Sequence, residues 1–126
     1  STGEIVANID SDGIIPEGWL TRIHEEFESH NNLSALSGPY IYYDFKWYEN
    51  LVVKLFYYCG YVNNLFYKFF LGGGVMLQGG NFVLRRTALD KVGGYNVDFV
   101  FYGEDTDIAK RMQSVGEVKF SFSFPM

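Results

Sequence analysis

The chain has 126 residues, 48% of them hydrophobic and 20% charged, with a formal net charge of −5 and a sequence pI of about 4.9. That composition excludes disorder, and the lack of a basic stripe argues against nucleic acid as a partner. The single cysteine, Cys59, excludes an internal disulfide and fits a reducing, cytoplasmic compartment.

The first element is the apolar run Ile5, Val6, Ala7 and Ile9, which suits a strand buried on both faces, as in a parallel sheet. It runs into Asp10, Ser11, Asp12 and Gly13. Ligands in open α/β sheets sit beyond the carboxyl ends of strands. Two aspartates two residues apart at a strand end point the same way and offer hard oxygen ligands to Mg²⁺ or Mn²⁺. The same letters can be read as an acidic turn, or as a calcium loop. An EF-hand loop, however, needs a bidentate glutamate where Trp19 stands. A chain that opens on such a strand leaves it few neighbours, so residues 1–126 are expected to form a single, partial domain.

Pro16 to about Ser29 reads as a helix, with Trp19, Leu20, Ile23 and Phe27 as its apolar stripe. Leu33 to Ser37 is a short strand ended by Gly38-Pro39, and an aromatic connection with Tyr40, Tyr42 and Tyr43 follows. Trp47 to Leu71 is the most apolar stretch, with Leu51, Leu55, Tyr58, Val62, Leu65 and Phe69 at helical spacing. Lys54, Asn63, Asn64 and Lys68 interrupt it, which makes a membrane span a poor fit. We read one or two helices, with a break near Gly60. The plain account is a core or interdomain helix. The sharper one is an interfacial helix over 47–71 that makes peripheral membrane contact at the inner face of the membrane.

Gly72-Gly73-Gly74 reads as a hinge, and Val75 to Arg86 as strand-like sequence interrupted at Gly79-Gly80-Asn81. Thr87 to Asp90 resembles a capping box opening a short helix that stops at Gly93-Gly94. Glu104 to Val115 reads as a helix with Ile108, Ala109 and Met112 inward. Val118, Phe120, Phe122 and Phe124 alternate with polar residues as in a half-buried strand. Glu104, Asp105 and Asp107 in a first helical turn favour the helix dipole. They also follow Gly93-Gly94-Tyr95 and the aromatic loop 99–102, which suits the wall of a cleft.

These motifs together resemble the later part of the family 2 nucleotide-sugar glycosyltransferases, which have the GT-A fold. The residues that carry the resemblance are Gly3 to Asp12 with Pro16 and Trp19-Leu20; Gly80 to Arg86; Leu89 and Val92-Gly93-Gly94-Tyr95; and Gly103 to Asp107 with Arg111 and Gly116. They appear in family order and cover nearly the whole chain. The resemblance implies an α/β fold, a mixed sheet flanked by helices that lacks most of the amino-terminal nucleotide-binding half. It implies Asp10 and Asp12 as the metal and diphosphate site, Asp105 as general base with Glu104 beside it, and Gly80 and Asn81 near the donor sugar or acceptor. Arg85 and Arg86 can contact phosphate, but neighbours in a strand face opposite sides, so at most one should. The activity implied is transfer of a sugar from a nucleotide-diphosphate donor to an acceptor hydroxyl of a glycan, lipid or other molecule, with inversion and a divalent cation. The alternative is a non-catalytic fragment acting as a self-associating or partner-binding module. Absence of the amino-terminal half and the surplus of apolar surface favour self-association. The Gln-x-x-Arg-Trp motif of processive synthases is not found.

Overall fold

The computed structural model describes residues 2–71, 75–98 and 103–126. The triple-glycine hinge and the aromatic loop 99–102 lie outside them. Four strands form one mixed sheet: β1 (Ile5–Ile9), β2 (Leu33–Ser37), β3 (Asn81–Arg85) and β4 (Glu117–Phe120), in the order β1-β3-β2-β4. β3 runs antiparallel to both β1 and β2, and β4 runs parallel to β2.

The expectation that β1 is buried on both faces is corrected here. Among the described residues β1 pairs only with β3, and its Ala7 and Ile9 are exposed. The fully buried strand is β2, all five of whose residues are covered. An apolar run fixes that a segment is a strand; which strand is central depends on what pairs on each side.

Alternation along the strands divides the interior into two layers. On one side α1 (Trp19–Ser29) lays Trp19, Ile23 and Phe27 against Leu33, Leu36, Val83, Phe124 and Met126. On the other, α3 (Arg86–Lys91) and α4 (Glu104–Gln113) place Ala88, Leu89, Ile108 and Met112 against Ala35, Phe82 and Leu84. Full burial of such a large side chain stabilises by about 1.5–3 kcal/mol relative to exposure. Leu33 and Leu36 reach the same layer because the register of β2 slips between Leu33 and Ala35. Buried Ser34 sits within the slip, and its Oγ lies 3.0 Å from the Met112 carbonyl and 2.9 Å from that of Glu117.

Several expected boundaries move. α1 starts at Trp19, after a turn in which Gly18 takes φ 78°, and Leu20 is exposed because the buried stripe follows Trp19, Ile23 and Phe27 in steps of four. β3 covers only Asn81 to Arg85. α3 begins directly at Arg86, so the Thr87 capping box does not form. β4 ends at Phe120. The chain then turns, with Phe124 N–H donating to the Ser121 carbonyl at 3.1 Å, and Phe124 swings into the α1 layer to stack on Trp19 at 5.1 Å. Gly38 permits this approach, since a methyl group there would overlap the Phe124 carbonyl.

The long apolar segment is one continuous helix, α2 (Trp47–Phe70), unbroken at Gly60. At its start the Glu49 carboxylate accepts a hydrogen bond from Lys46 N–H at 2.8 Å. The core-helix reading is overturned, because Tyr57 is the one buried residue of the helix. Tyr57 stacks on Phe120, and Tyr61 lies against Phe120 and Phe122.

Candidate active site

The site forms where β1 ends and β3 begins. Asp10 N–H donates to the Gly80 carbonyl at 3.2 Å, and Gly13 N–H closes a turn back onto the Asp10 carbonyl at 3.0 Å. This turn holds Asp10 at the sheet's rim and puts Asp12 in the exposed bend beyond it. Two cavities open here, and Asp10 lines both.

The larger cavity, about 570 Å³, is lined by Asp10, Asp12, Gly13 and Ile14, the 40–44 segment, and Pro125 and Met126. The smaller, about 360 Å³, is lined by Asn8, Asp10, Gly79, Gly80, Tyr95, Glu104 and Asp105 together with Ile9, Phe82 and Gly103. Two acidic groups more than ninety positions apart in sequence therefore face one space.

Gly79 and Gly80 stand between them. A methyl group on Gly79 would lie 3.5 Å from Asp105 Oδ2. One on Gly80 would overlap the Asp10 carboxylate and the Tyr40 hydroxyl, and Gly80 takes φ 76°. Both steric room and backbone conformation require glycine at position 80. Asp105 itself lies in the first turn of α4, after Gly103 at φ 91°, and its Oδ1 accepts from Thr106 N–H at 2.8 Å. Asp107 is committed elsewhere. It pairs with Arg111 at 2.7 Å, while Arg111 Nη1 also donates to the carbonyls of Val92 and Gly94. That pair ties the turn carrying Tyr95 to the helix carrying Asp105.

Tyr40 is a member of the site that the sequence did not reveal. Its hydroxyl lies 2.8 Å from Asp10 Oδ2 and 2.6 Å from the Gly79 carbonyl, and one proton is shared between these two acceptors. Burial first, then the hydrogen bond to and charge of Asp10, push the phenol well above its ordinary value. The Tyr95 hydroxyl is also pushed up, by burial and by the charge of Glu104, with the Asn8 side chain opposing the rise. Asn8 was likewise missed. It lines the smaller cavity beside Tyr95, and its side chain reaches the Tyr95 hydroxyl.

Asn81 and Arg85 are not part of either cavity lining. Asn81 is fully buried, and Nδ2 donates to the carbonyls of Gly38 and Phe124, both at 3.1 Å, while Oδ1 accepts from Trp19 Nε1 at 3.4 Å. Arg85 lies at the far end of β3, about 13 Å away at 3.3 Å per residue. Its guanidinium donates to the carbonyls of Leu33, Phe27 and His30 and covers the Phe27 ring, closing the end of α1. Arg86 Nε donates to the Gly3 carbonyl at 3.2 Å.

A sequence profile described as glycosyl transferase family group 2 matches residues 5–123. The chain belongs to this family. Neither the curated proteins nor the solved structures gave a match. The four-stranded mixed sheet flanked by helices agrees with the α/β architecture expected for this glycosyltransferase family. Membership implies, in general terms, transfer of a sugar from an activated donor to an acceptor, and divalent cations are used generally in the family.

Among the described residues no cluster of three or more His, Cys, Asp or Glu side chains forms a closed metal cage. Asp10 and Asp12 instead supply two carboxylates to the lining of the larger cavity. That pair fits Mg²⁺ or Mn²⁺, which characteristically take one or two protein carboxylates and complete their shell with water and phosphate oxygens.

Proposed function

We propose that this domain transfers a sugar from a nucleotide-diphosphate donor to an acceptor hydroxyl by a single displacement with inversion at the anomeric carbon. The observation that carries the reading is that Asp10 and Asp105 line one cavity on either side of the Gly79-Gly80 backbone.

In this reading Asp10 and Asp12 hold the diphosphate end of the donor together with a divalent cation. The cation, when bound, supplies Lewis-acid stabilisation of the charge that develops on the leaving phosphate oxygens. Tyr40, by donating to Asp10, fixes the orientation of that carboxylate. Asp105 accepts the proton of the acceptor hydroxyl as its oxygen forms the new bond to the anomeric carbon. The bond from that carbon to the phosphate oxygen breaks on the opposite face, and the nucleoside diphosphate departs with the electron pair. The Tyr95 hydroxyl, held beside Asn8, offers a hydrogen bond to a sugar hydroxyl. Glu104 stands beside Asp105 as a second carboxylate for the acceptor.

A panel of nucleotide-diphosphate sugars, assayed for nucleoside diphosphate release with Mg²⁺ or Mn²⁺, tests the proposal. Release that collapses in both Asp10→Asn and Asp105→Asn is expected. Release that survives both substitutions would overturn it.

A further inference from the structure

The Tyr57 side chain does two separate things. Its ring is buried and stacks on Phe120 with centroids 6.0 Å apart, which fastens α2 to the sheet. That packing needs no hydroxyl. The hydroxyl has its own partners: it donates to Gln78 Oε1 at 2.9 Å and accepts from Tyr40 N–H at 3.4 Å. Burial pushes the phenol above its ordinary value, with the Tyr40 N–H opposing the rise, so at neutral pH the hydroxyl keeps the proton that it donates. Neither Tyr57 nor Gln78 lines either of the two cavities described above.

Both partners lead to Asp10. Gln78 opens the turn 78–81, in which Asn81 N–H donates to the Gln78 carbonyl at 3.1 Å and Gly80 takes φ 76°. Buried Ser37 clasps the two ends of that turn, since its Oγ accepts from Gln78 N–H and donates to the Asn81 carbonyl, both at 2.8 Å. The Gly79 carbonyl accepts from the Tyr40 hydroxyl, and the Gly80 carbonyl from Asp10 N–H. Tyr40 completes the loop of contacts: its N–H meets Tyr57 and its hydroxyl meets Asp10 Oδ2. Ser37 already closes the turn, so what the Tyr57 hydroxyl adds is the placement of the turn relative to Tyr40. We propose that the Tyr57 hydroxyl is a positioning group for sugar transfer, which holds the Gln78 amide and the Tyr40 main chain together and so fixes where the Gly79-Gly80 backbone and the Asp10 carboxylate stand. This role rests on the reading of Asp10 as the carboxylate at the donor diphosphate.

The test compares the 126-residue chain with Tyr57→Phe, which keeps the ring on Phe120, by nucleoside diphosphate release with Mn²⁺ and by amide NMR spectra. KM for the nucleotide-diphosphate sugar should rise about three- to tenfold, the range of one hydrogen bond, while kcat falls by less than about twofold. Gln78→Leu should reproduce that split. Combining Tyr57→Phe with Tyr40→Phe should raise KM by less than the product of the two single effects, because both act on one carboxylate. Tyr61→Phe removes a hydroxyl from the next turn of the same helix, beside the same Phe120 ring, and should leave KM as in the wild type. The Gly79, Gly80 and Asp10 amide signals should move in Tyr57→Phe with far-UV circular dichroism kept. A hydroxyl that serves packing alone would lower the urea midpoint and leave KM unchanged, and that result overturns the proposal, as does full multiplication of the Tyr57→Phe and Tyr40→Phe effects. A wild-type chain that releases nothing from any donor defeats the transfer reading instead. The spectra then decide the coupling alone: moved Gly80 and Asp10 signals uphold it, and unmoved ones overturn it.

Discussion

The Tyr40 hydroxyl lies 2.8 Å from Asp10 Oδ2, joining the segment after β2 to the carboxylate at the end of β1. The two residues are 30 positions apart, and the same hydroxyl reaches the Gly79 carbonyl. Tyr40→Phe removes this hold and keeps the ring. Loss of one such hydrogen bond costs about 1 kcal/mol in stability. The larger expected effect is on function: weaker Mn²⁺-dependent donor binding, measured by calorimetry, with turnover at saturation reduced less. A variant with unchanged donor affinity would show that Asp10 needs no such support.

Asp105→Asn should lower turnover by roughly 10²–10⁴, the usual contribution of a general base, with donor affinity little changed. A base acts in the transition state, so its removal reads out in the rate constant. Single-turnover kinetics at saturating donor make the comparison. A near-normal rate would remove Asp105 from the mechanism.

Gly80→Ala should destabilise the domain by at least about 1–3 kcal/mol, the cost of forcing a side chain into an unfavourable backbone region. The added methyl also overlaps Asp10 and Tyr40, so donor binding should fall with stability. Gly93→Ala provides a comparison, since it shares the left-handed φ but has open space around it. Urea titration of both variants separates crowding from backbone strain, and equal losses would show that crowding at Gly80 matters little.

Arg85→Ala should lower stability by about 1.5–3 kcal/mol, the range for hydrogen bonds to a charged group, and leave nucleotide-diphosphate affinity untouched. Its donors serve carbonyls at the end of α1. A selective fall in donor affinity at unchanged stability would return Arg85 to the phosphate.

Burial pushes the phenols of Tyr40, Tyr57 and Tyr95 above the usual 10.0. Above that pH the folded chain therefore binds more protons than the unfolded chain. The stabilisation from these groups is complete below the unfolded value and is lost as pH rises through the folded values. Urea midpoints measured from about pH 8 to about pH 11.5 should hold steady and then fall above about pH 10, less steeply in Tyr40→Phe.

Much of the fold is legible from local pattern. The strands at 5–9 and 33–37, the inward face of α4 and the glycine stop after α3 all follow from apolar spacing and turn residues. What the pattern could not supply is context. The periodicity of α2 marks an apolar stripe but not its direction, and the body is met by the neighbouring stripe through Tyr57 and Tyr61. Phe124 continues an alternation that the turn at Ser121 interrupts. In the site, Asp10, Gly80, Glu104 and Asp105 were identifiable by motif, and the structure places all four at one cavity. Asp12 lines the adjoining one. Tyr40 escaped because nothing near it in the chain is acidic in the required place. Its contact exists only after β2 and β3 pair.

The partition between Asp10 and Asp105 is main chain rather than side chain. Side chains rotate among rotamers, whereas a backbone whose Gly80 carbonyl accepts from Asp10 N–H and whose Gly79 carbonyl accepts from the Tyr40 hydroxyl has little freedom to shift. In the proposed mechanism, the separation between the Asp10 and Asp105 carboxylates is thus a ruler cut in backbone. Inserting or deleting one residue between Gln78 and Asn81 would recalibrate that ruler, misaligning nucleophile and leaving group even where the sheet still closed.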